Sequence, residues 1–307
     1  LVSKAKGFGM RAFLNSPLSG YAACFTIIFI WSFWLIVSRI GATSELTIYD
    51  LTAMRYGISA IVSLPFVLYF KPWKTLSLIR ILSLSFLLGP VYILTVFSGF
   101  IFAPAAHGGI FMNGLLPIFT VMIGVIFFAA RFEQKKLSGA LVILCAAAIL
   151  GMNTTGLDLS KSWVGDLCFA IGGAFFAVYV TLARQWAIKT VEILFCGSIV
   201  NVIIYLPIWY FLLPSGLSVA DNSEILLQGV YQGVLPNLVG LILIAHASRS
   251  IGSDATSAMM AIVPATGAIL GVWLLNEQMG VVSWLAILGL TAGLLLMTVH
   301  KQQKIRS

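Results

Sequence analysis

Apolar residues run along this chain in blocks of about twenty, separated by short polar breaks. A helix needs about 20 mainly apolar residues to cross a bilayer. Hydropathy finds ten such stretches, at about 20–41, 48–70, 78–102, 105–129, 137–154, 163–186, 190–213, 225–248, 254–275 and 281–299. The linkers are short and leave no soluble domain, so the pattern predicts an all-α polytopic membrane protein of ten transmembrane helices. The first block, "YAACFTIIFIWSFWLIVSRIGA", follows Lys4, Lys6 and Arg11 as the core of a signal peptide would. Its length and the lack of a small-x-small cleavage pattern predict a retained span instead.

The ten blocks divide into two fives that echo each other. Pro65 in "SLPF" matches Pro207 in "YLPI" at an offset of 142, and "WSFW" at 31–34 meets "GAFF" at 173–176 at the same offset. Gly89 matches Pro236, and Pro117 matches Pro264, both at an offset of 147. Five is odd, so a second copy enters the membrane from the opposite face. The expectation is two inverted five-helix repeats, 20–154 and 163–300, around a central cavity, which is the architecture of secondary transporters.

Composition agrees and adds orientation. The chain of 307 residues is 60% hydrophobic and 9% charged, against roughly 25% charged in soluble domains. Of its 18 Lys and Arg, most fall on one side: the N-terminal three, Lys71, Lys74, Arg80, Arg131, Lys135, Lys136, Arg184, Lys189, Arg249 and the C-terminal Lys301, Lys304 and Arg306. Arg39 and Lys161 fall on the other side. The basic side is expected in the cytoplasm with both termini, in the inner membrane of a bacterium. Topology then accounts for the net charge of +8, and no nucleic acid is called for.

Several chemistries are excluded or disfavoured. There is no GxxxxGK[ST] loop for ATP and no HExxH. The histidines, His107, His246 and His300, are far apart, so no metal, cofactor or catalytic set is expected. Cys24, Cys145, Cys168 and Cys196 are scattered singly within spans, as small buried hydrophobes are. All ten Asp and Glu fall in loops or near helix ends, so a midplane carboxylate relay is not expected. Transport driven by the substrate gradient follows, with His107 or His246 as the alternative proton sites. His107 sits at the mouth of span four and its matched residue, Asp254, at the mouth of span nine, which predicts a pair of gate positions.

Within the spans a few residues stand out. Trp31 and Trp34 lie in mid-span rather than at an interface and share a face at spacing i, i+3, which reads either as core packing or as cavity lining. Tyr92 and Tyr179 carry the same two readings, and Met260 reads as core filling or an adaptable cavity wall. Asn113 and Asn237 are mid-span amides beside Pro117 and Pro236, and an amide suits a zwitterionic ligand. Proline also frees the carbonyl four residues earlier, tolerated at membrane depth where it lines a polar cavity. Phe111 and Pro264 complete the candidate cavity set. Arg55 lies inside span two, either paired with nearby Asp50 or contacting a substrate carboxylate. GxxxG occurs at Gly229/Gly233, Gly267/Gly271 and Gly289/Gly293, and reads as helix packing faces, with homodimer contact through span ten as the secondary reading.

"FIWSFW", "LTAMRYGISA" and "PATGAILGVWLLNEQ" resemble the EamA-type proteins of the drug/metabolite transporter superfamily, and "MNGLLP" is similar to the matching helix of its YddG-type amino-acid exporters. The resemblance implies a basket of ten helices, with spans five and ten peripheral and the cavity lined mainly by spans one, three, four, six, eight and nine. This chain departs from the pattern in placing Glu133 sixteen residues after Pro117 but Glu277 thirteen after Pro264. The expected function is export of amino acids, aromatic or other hydrophobic ones first. A nucleoside, purine or nucleotide-sugar carrier is the alternative within the class; an intramembrane enzyme or a non-transporting sensor are the alternatives outside it.

Overall fold

The computed structural model describes residues 16–128, 135–152 and 161–299. Eight helices are long and apolar enough to cross a membrane. They are α1 (Pro17–Ala42), α2 (Ile48–Phe70), α3 (Leu78–Phe102), α4 (Ala105–Phe128), α6 (Ser162–Gln185), α7 (Thr190–Leu212), α8 (Asn222–Ile251) and α9 (Ala255–Leu275). Two further helices, α5 (Lys135–Met152) and α10 (Val281–Val299), have shorter apolar parts, Leu137–Leu150 and Val281–Met297. Among the described residues there is no strand. Glu133, His300 and the terminal basic residues lie outside the described residues, as does the side chain of Asp254.

Local chemistry sets the helix starts. Ser16 caps α1 by accepting from the Ser19 amide, with Pro17 in the first turn. At α2, Thr47 and Asp50 cap each other reciprocally: the Thr47 hydroxyl accepts from the Asp50 amide at 3.1 Å while Asp50 accepts from the Thr47 amide at 3.0 Å. Glu192 does the same work at α7, accepting from the Lys189 amide at 2.8 Å.

Five spans depart from regular α-helix in mid-course. α3 breaks at Leu88–Gly89 before Pro90, and α9 turns at Ala261–Ile262 before Val263. α4, α7 and α8 widen into π-helical turns at Gly109–Gly114, Phe195–Val200 and Leu235–Val239. Such turns free carbonyls and re-aim side chains, and they gather at functional sites.

The packing comes in matched sets. α3 lies on α6 and α8 on α1, while α4 also lies on α6 and α9 on α1. α5 and α10 pack on each other. Their contact passes through Gly293, where a Cβ would meet Ile143 at 2.8 Å and the Gly139 carbonyl oxygen at 2.9 Å. At Gly293 the small-residue face of span ten is therefore filled from within the chain. Large apolar side chains such as Phe29, Ile61, Tyr210, Phe211 and Trp273 cover the outside, which suits a hydrocarbon surround.

Candidate functional site

Both halves of the chain open onto one cavity of about 130 Å³. A single water needs roughly 10–15 Å³ on that measure, so the space suits a molecule of about ten non-hydrogen atoms. Trp31 and Trp34 come from α1, Arg55 and Tyr56 from α2, Leu88 and Tyr92 from the break in α3, and Met112 and Asn113 from the π-turn of α4. α6 adds Phe176 and Tyr179; α7 adds Ile193, Leu194, Gly197 and Ser198; α8 adds Pro236, Asn237 and Leu241. The irregular stretches of α3, α4, α7 and α8 thus all face this space. None of the lining residues is acidic.

The polar groups differ in how free they are. The Trp34 indole N–H donates to Gln232 Oε1 at 2.8 Å, part of a buried ladder in which Gln232 reaches Ser38 and Gln228, and Gln228 reaches the Val37 carbonyl. That ladder ties α8 to α1, so Trp34 offers the cavity its ring and not its donor. Tyr56 donates to the carbonyl of Leu88 at 2.9 Å, at the point where α3 breaks. Asn113, Tyr92, Tyr179 and Trp31 make no side-chain hydrogen bond among the described residues and remain open to a ligand. Tyr92 stacks on Phe176, centroids 6.3 Å apart at 20°, and Phe176 tilts against Tyr179 at 5.4 Å.

Arg55 is placed differently from one sequence alternative. Asp50 is not its partner: five residues along a helix is about 140° of rotation, and the Asp50 carboxylate is taken by Thr47, the Trp209 indole N–H at 2.9 Å and the Gly216 amide at 2.8 Å. The Arg55 guanidinium turns to the cavity, where Nη2 donates to Asn237 Oδ1 at 2.6 Å. Asn237 Nδ2 in turn donates to Ser59 Oγ and to the carbonyl of Gln232, both at 3.4 Å. Gln232 is four residues before Pro236, so this is the carbonyl that proline cannot serve, and the asparagine beside the proline satisfies it.

Four expected cavity residues lie elsewhere. Phe111, two residues from Asn113 within the π-turn, leans over His107 instead, centroids 6.0 Å apart. Pro117 falls beyond the π-turn, whose wider winding spoils the i, i+4 register with Asn113. Met260 packs near Cys24 and Ala247. Pro264 is buried against Gly109, where a Cβ would come within 3.2 Å of its Cα. Consequently α9 contributes nothing to the lining, whereas α2 and α7, absent from the implied set, do.

His107 and His246 are also away from the cavity. His246 Nε2 lies 2.9 Å from Ser19 Oγ and 3.4 Å from Ser250 Oγ. His107 is buried with Nδ1 2.7 Å from Asp166 Oδ1, at the start of α4. Beside it, Glu277 Oε1 accepts from the Ala105 amide at 2.8 Å, while Arg39 donates to the Phe100 carbonyl. Burial pushes the Glu277 carboxyl up from its ordinary value, against the pull of the Ala105 bond and the Arg39 charge. Among the described residues no three His, Cys, Asp or Glu could share a metal ion.

No curated protein matches the sequence. A solved crystal structure shares the fold, with a TM-score of 0.64 over 94% of this chain and 99% of that one, at 19% sequence identity. The sequence matches the EamA-like transporter family twice, over residues 18–152 and 163–299. The two matched segments are the two halves that enclose the cavity, and the chain belongs to the EamA-like transporter family, within the drug/metabolite transporter superfamily of small-substrate carriers.

Proposed function

We propose that this protein exports amino acids, aromatic or other hydrophobic ones first, from the bacterial cytoplasm across the inner membrane by alternating access. The observation that carries the reading is the cavity between the halves: aromatic and aliphatic walls with a guanidinium, two amides and three phenols among them. A space for about ten non-hydrogen atoms suits an amino acid and is small for a nucleotide-sugar. Ten crossings in two inverted repeats, with both termini in the cytoplasm, is the topology we assign. The matched packing of α3 on α6 with α8 on α1 supports it, because an inverted duplication brings equivalent helix pairs together. The lack of a carboxylate in the lining supports exchange driven by the substrate gradient.

Counterflow into proteoliposomes, run against a mixed panel of amino acids and nucleosides, tests this. Accumulation of labelled phenylalanine, tryptophan or leucine, with or without a pH gradient, is the expected result. Nucleosides carried in their place would move the protein to the purine-carrier reading. No flux of any member, or product formation in detergent, would remove the transporter reading, and a strict need for the gradient would remove exchange.

A further inference from the structure

The cavity holds a cation and no anion. Arg55 has one nitrogen satisfied by Asn237, but Nη1 is buried and has no hydrogen-bond partner. Among the described residues the one ion pair joins His107 to Asp166, so no described carboxylate pairs with the guanidinium. The phenols of Tyr92 and Tyr56 line the same cavity, and the Tyr56 hydroxyl already serves the Leu88 carbonyl. Three carboxylates at helix starts are spent elsewhere: Asp50 on Thr47, Trp209 and Gly216, Asp166 on His107, Glu192 on Thr75 and Lys189.

Arginine does not shed its proton in proteins, so this site keeps its charge at membrane depth. A buried charge without a counterion is costly, and an intramembrane ionisable group that faces a cavity marks a substrate path. We propose that Arg55 is a monoanion anchor: the substrate supplies one carboxylate, which takes Nη1 and completes the missing ion pair. Asn237 is the positioning residue, since its carbonyl oxygen holds Nη2 while its amide nitrogen is held by Ser59 and Gln232. The unbonded Asn113 amide and the aromatic faces of Trp31 and Tyr92 take the rest of the molecule, an ammonium group among the options. A single guanidinium neutralises a single charge, so dianions, bare amines and neutral nucleosides are poor ligands. This rests on the transporter reading of the cavity and names the charge its cargo must carry.

The test uses the purified full chain in detergent, with the quenching of tryptophan fluorescence as readout, because Trp31 and Trp34 line the site. The probes are L-phenylalanine, 3-phenylpropionate, 2-phenylethylamine, L-phenylalaninamide and adenosine. Saturable binding is expected for the two carboxylates, with the three probes lacking a carboxylate weaker by about a hundredfold, the size of a charge-assisted contact. Arg55→Gln should abolish the difference and Arg55→Lys should restore part of it. Asn237→Asp is the second variant: it sets a competing carboxylate 2.6 Å from Nη2, and the ion pair so gained offsets the lost donor to the Gln232 carbonyl, so the chain should still fold, as a monodisperse peak in size-exclusion chromatography checks, while carboxylate binding is removed. A purely structural Arg55 would keep its ligands in Asn237→Asp. Equal binding of amine or adenosine, no binding of any probe, or carboxylate binding that survives in Asn237→Asp overturns the anchor. Carboxylate binding that depends on Arg55 without any counterflow would keep the anchor and remove the transporter reading; counterflow of neutral or cationic cargo does the reverse.

Discussion

The two halves of this molecule use the same frame and different chemistry. At an offset of 142, Trp34 matches Phe176, Arg55 matches Gly197 and Trp31 matches Gly173. Trp34 and Phe176 both line the cavity, as do Arg55 and Gly197. At these positions the first half therefore brings the charge and both indoles to the cavity, where the second brings a phenyl ring and Gly197, with Gly173 packed against the Met112 backbone instead. What duplication supplies is the enclosure and the matched helix crossings. On the function proposed above, recognition resides in the positions where the copies have parted. Making the halves alike again is accordingly the sharpest way to break the comparison.

Gly173→Trp should have the largest effect. A Cβ at residue 173 would stand 2.8 Å from the Met112 carbonyl oxygen and 3.3 Å from its Cα, and backbone in the α4 π-turn cannot step aside as a side chain would. The cost reaches or exceeds the upper end of the about 1–3 kcal/mol typical of overpacking. The expected outcome is loss of the monodisperse peak in size-exclusion chromatography. A folded, transporting Gly173→Trp protein would show that α6 and α4 do not meet as closely as their contact requires.

Gly197→Arg comes next and should leave the fold intact. Its Cβ would meet only the Leu88 side chain, Cδ1 at 3.3 Å and Cβ at 3.9 Å, and the closer of the two is the end of a flexible side chain. A second guanidinium in the same cavity should turn a monoanion site toward dianions. The ratio of 2-phenylsuccinate to 3-phenylpropionate bound should rise about tenfold, or about 1.4 kcal/mol. An unchanged ratio would mean that residues 55 and 197 do not address one ligand.

The sequence made the frame legible because length and hydropathy determine spans: the expected blocks fall on the eight long apolar helices and the two shorter ones. Several site residues were legible for a related reason. A tryptophan, amide or arginine in mid-span is costly against lipid, so Trp31, Trp34, Asn113, Asn237 and Arg55 stood out, and the structure brings them to one cavity. Face assignment was not legible. The π-turns at Gly109–Gly114 and Phe195–Val200 have no hydropathy signature, yet Met112 and Asn113 come to the lining from the first, and Gly197 and Ser198 from the second. Pairing over long separations was hidden too. Arg55 and Asn237 are 182 residues apart, whereas the carboxylate nearest in sequence, Asp50, points elsewhere. Gly197–Ser198, small residues inside an apolar run, were the available hint of a lining position on α7.

The smallest expected effect tests whether partners, and not positions, have diverged. Phe176→Trp makes the ring match Trp34, but Trp34 depends on Gln232, whose Oε1 accepts its indole N–H at 2.8 Å. At the offset of 147 the residue matched to Gln232 is Ser85, also buried but too short to reach across as glutamine does. Phe176→Trp alone should therefore strand an indole donor and lower thermal stability by about 1 kcal/mol, with the KM for phenylalanine counterflow moved less than threefold. Ser85→Gln alone should also destabilise, because it buries an amide without its partner. The double variant Phe176→Trp/Ser85→Gln should recover about 0.5–1 kcal/mol relative to the sum of the single changes, read as a coupling energy from the double-mutant cycle. Strict additivity would mean that the aromatic pair at 34 and 176 diverged independently of the α3 and α8 residues they were copied beside.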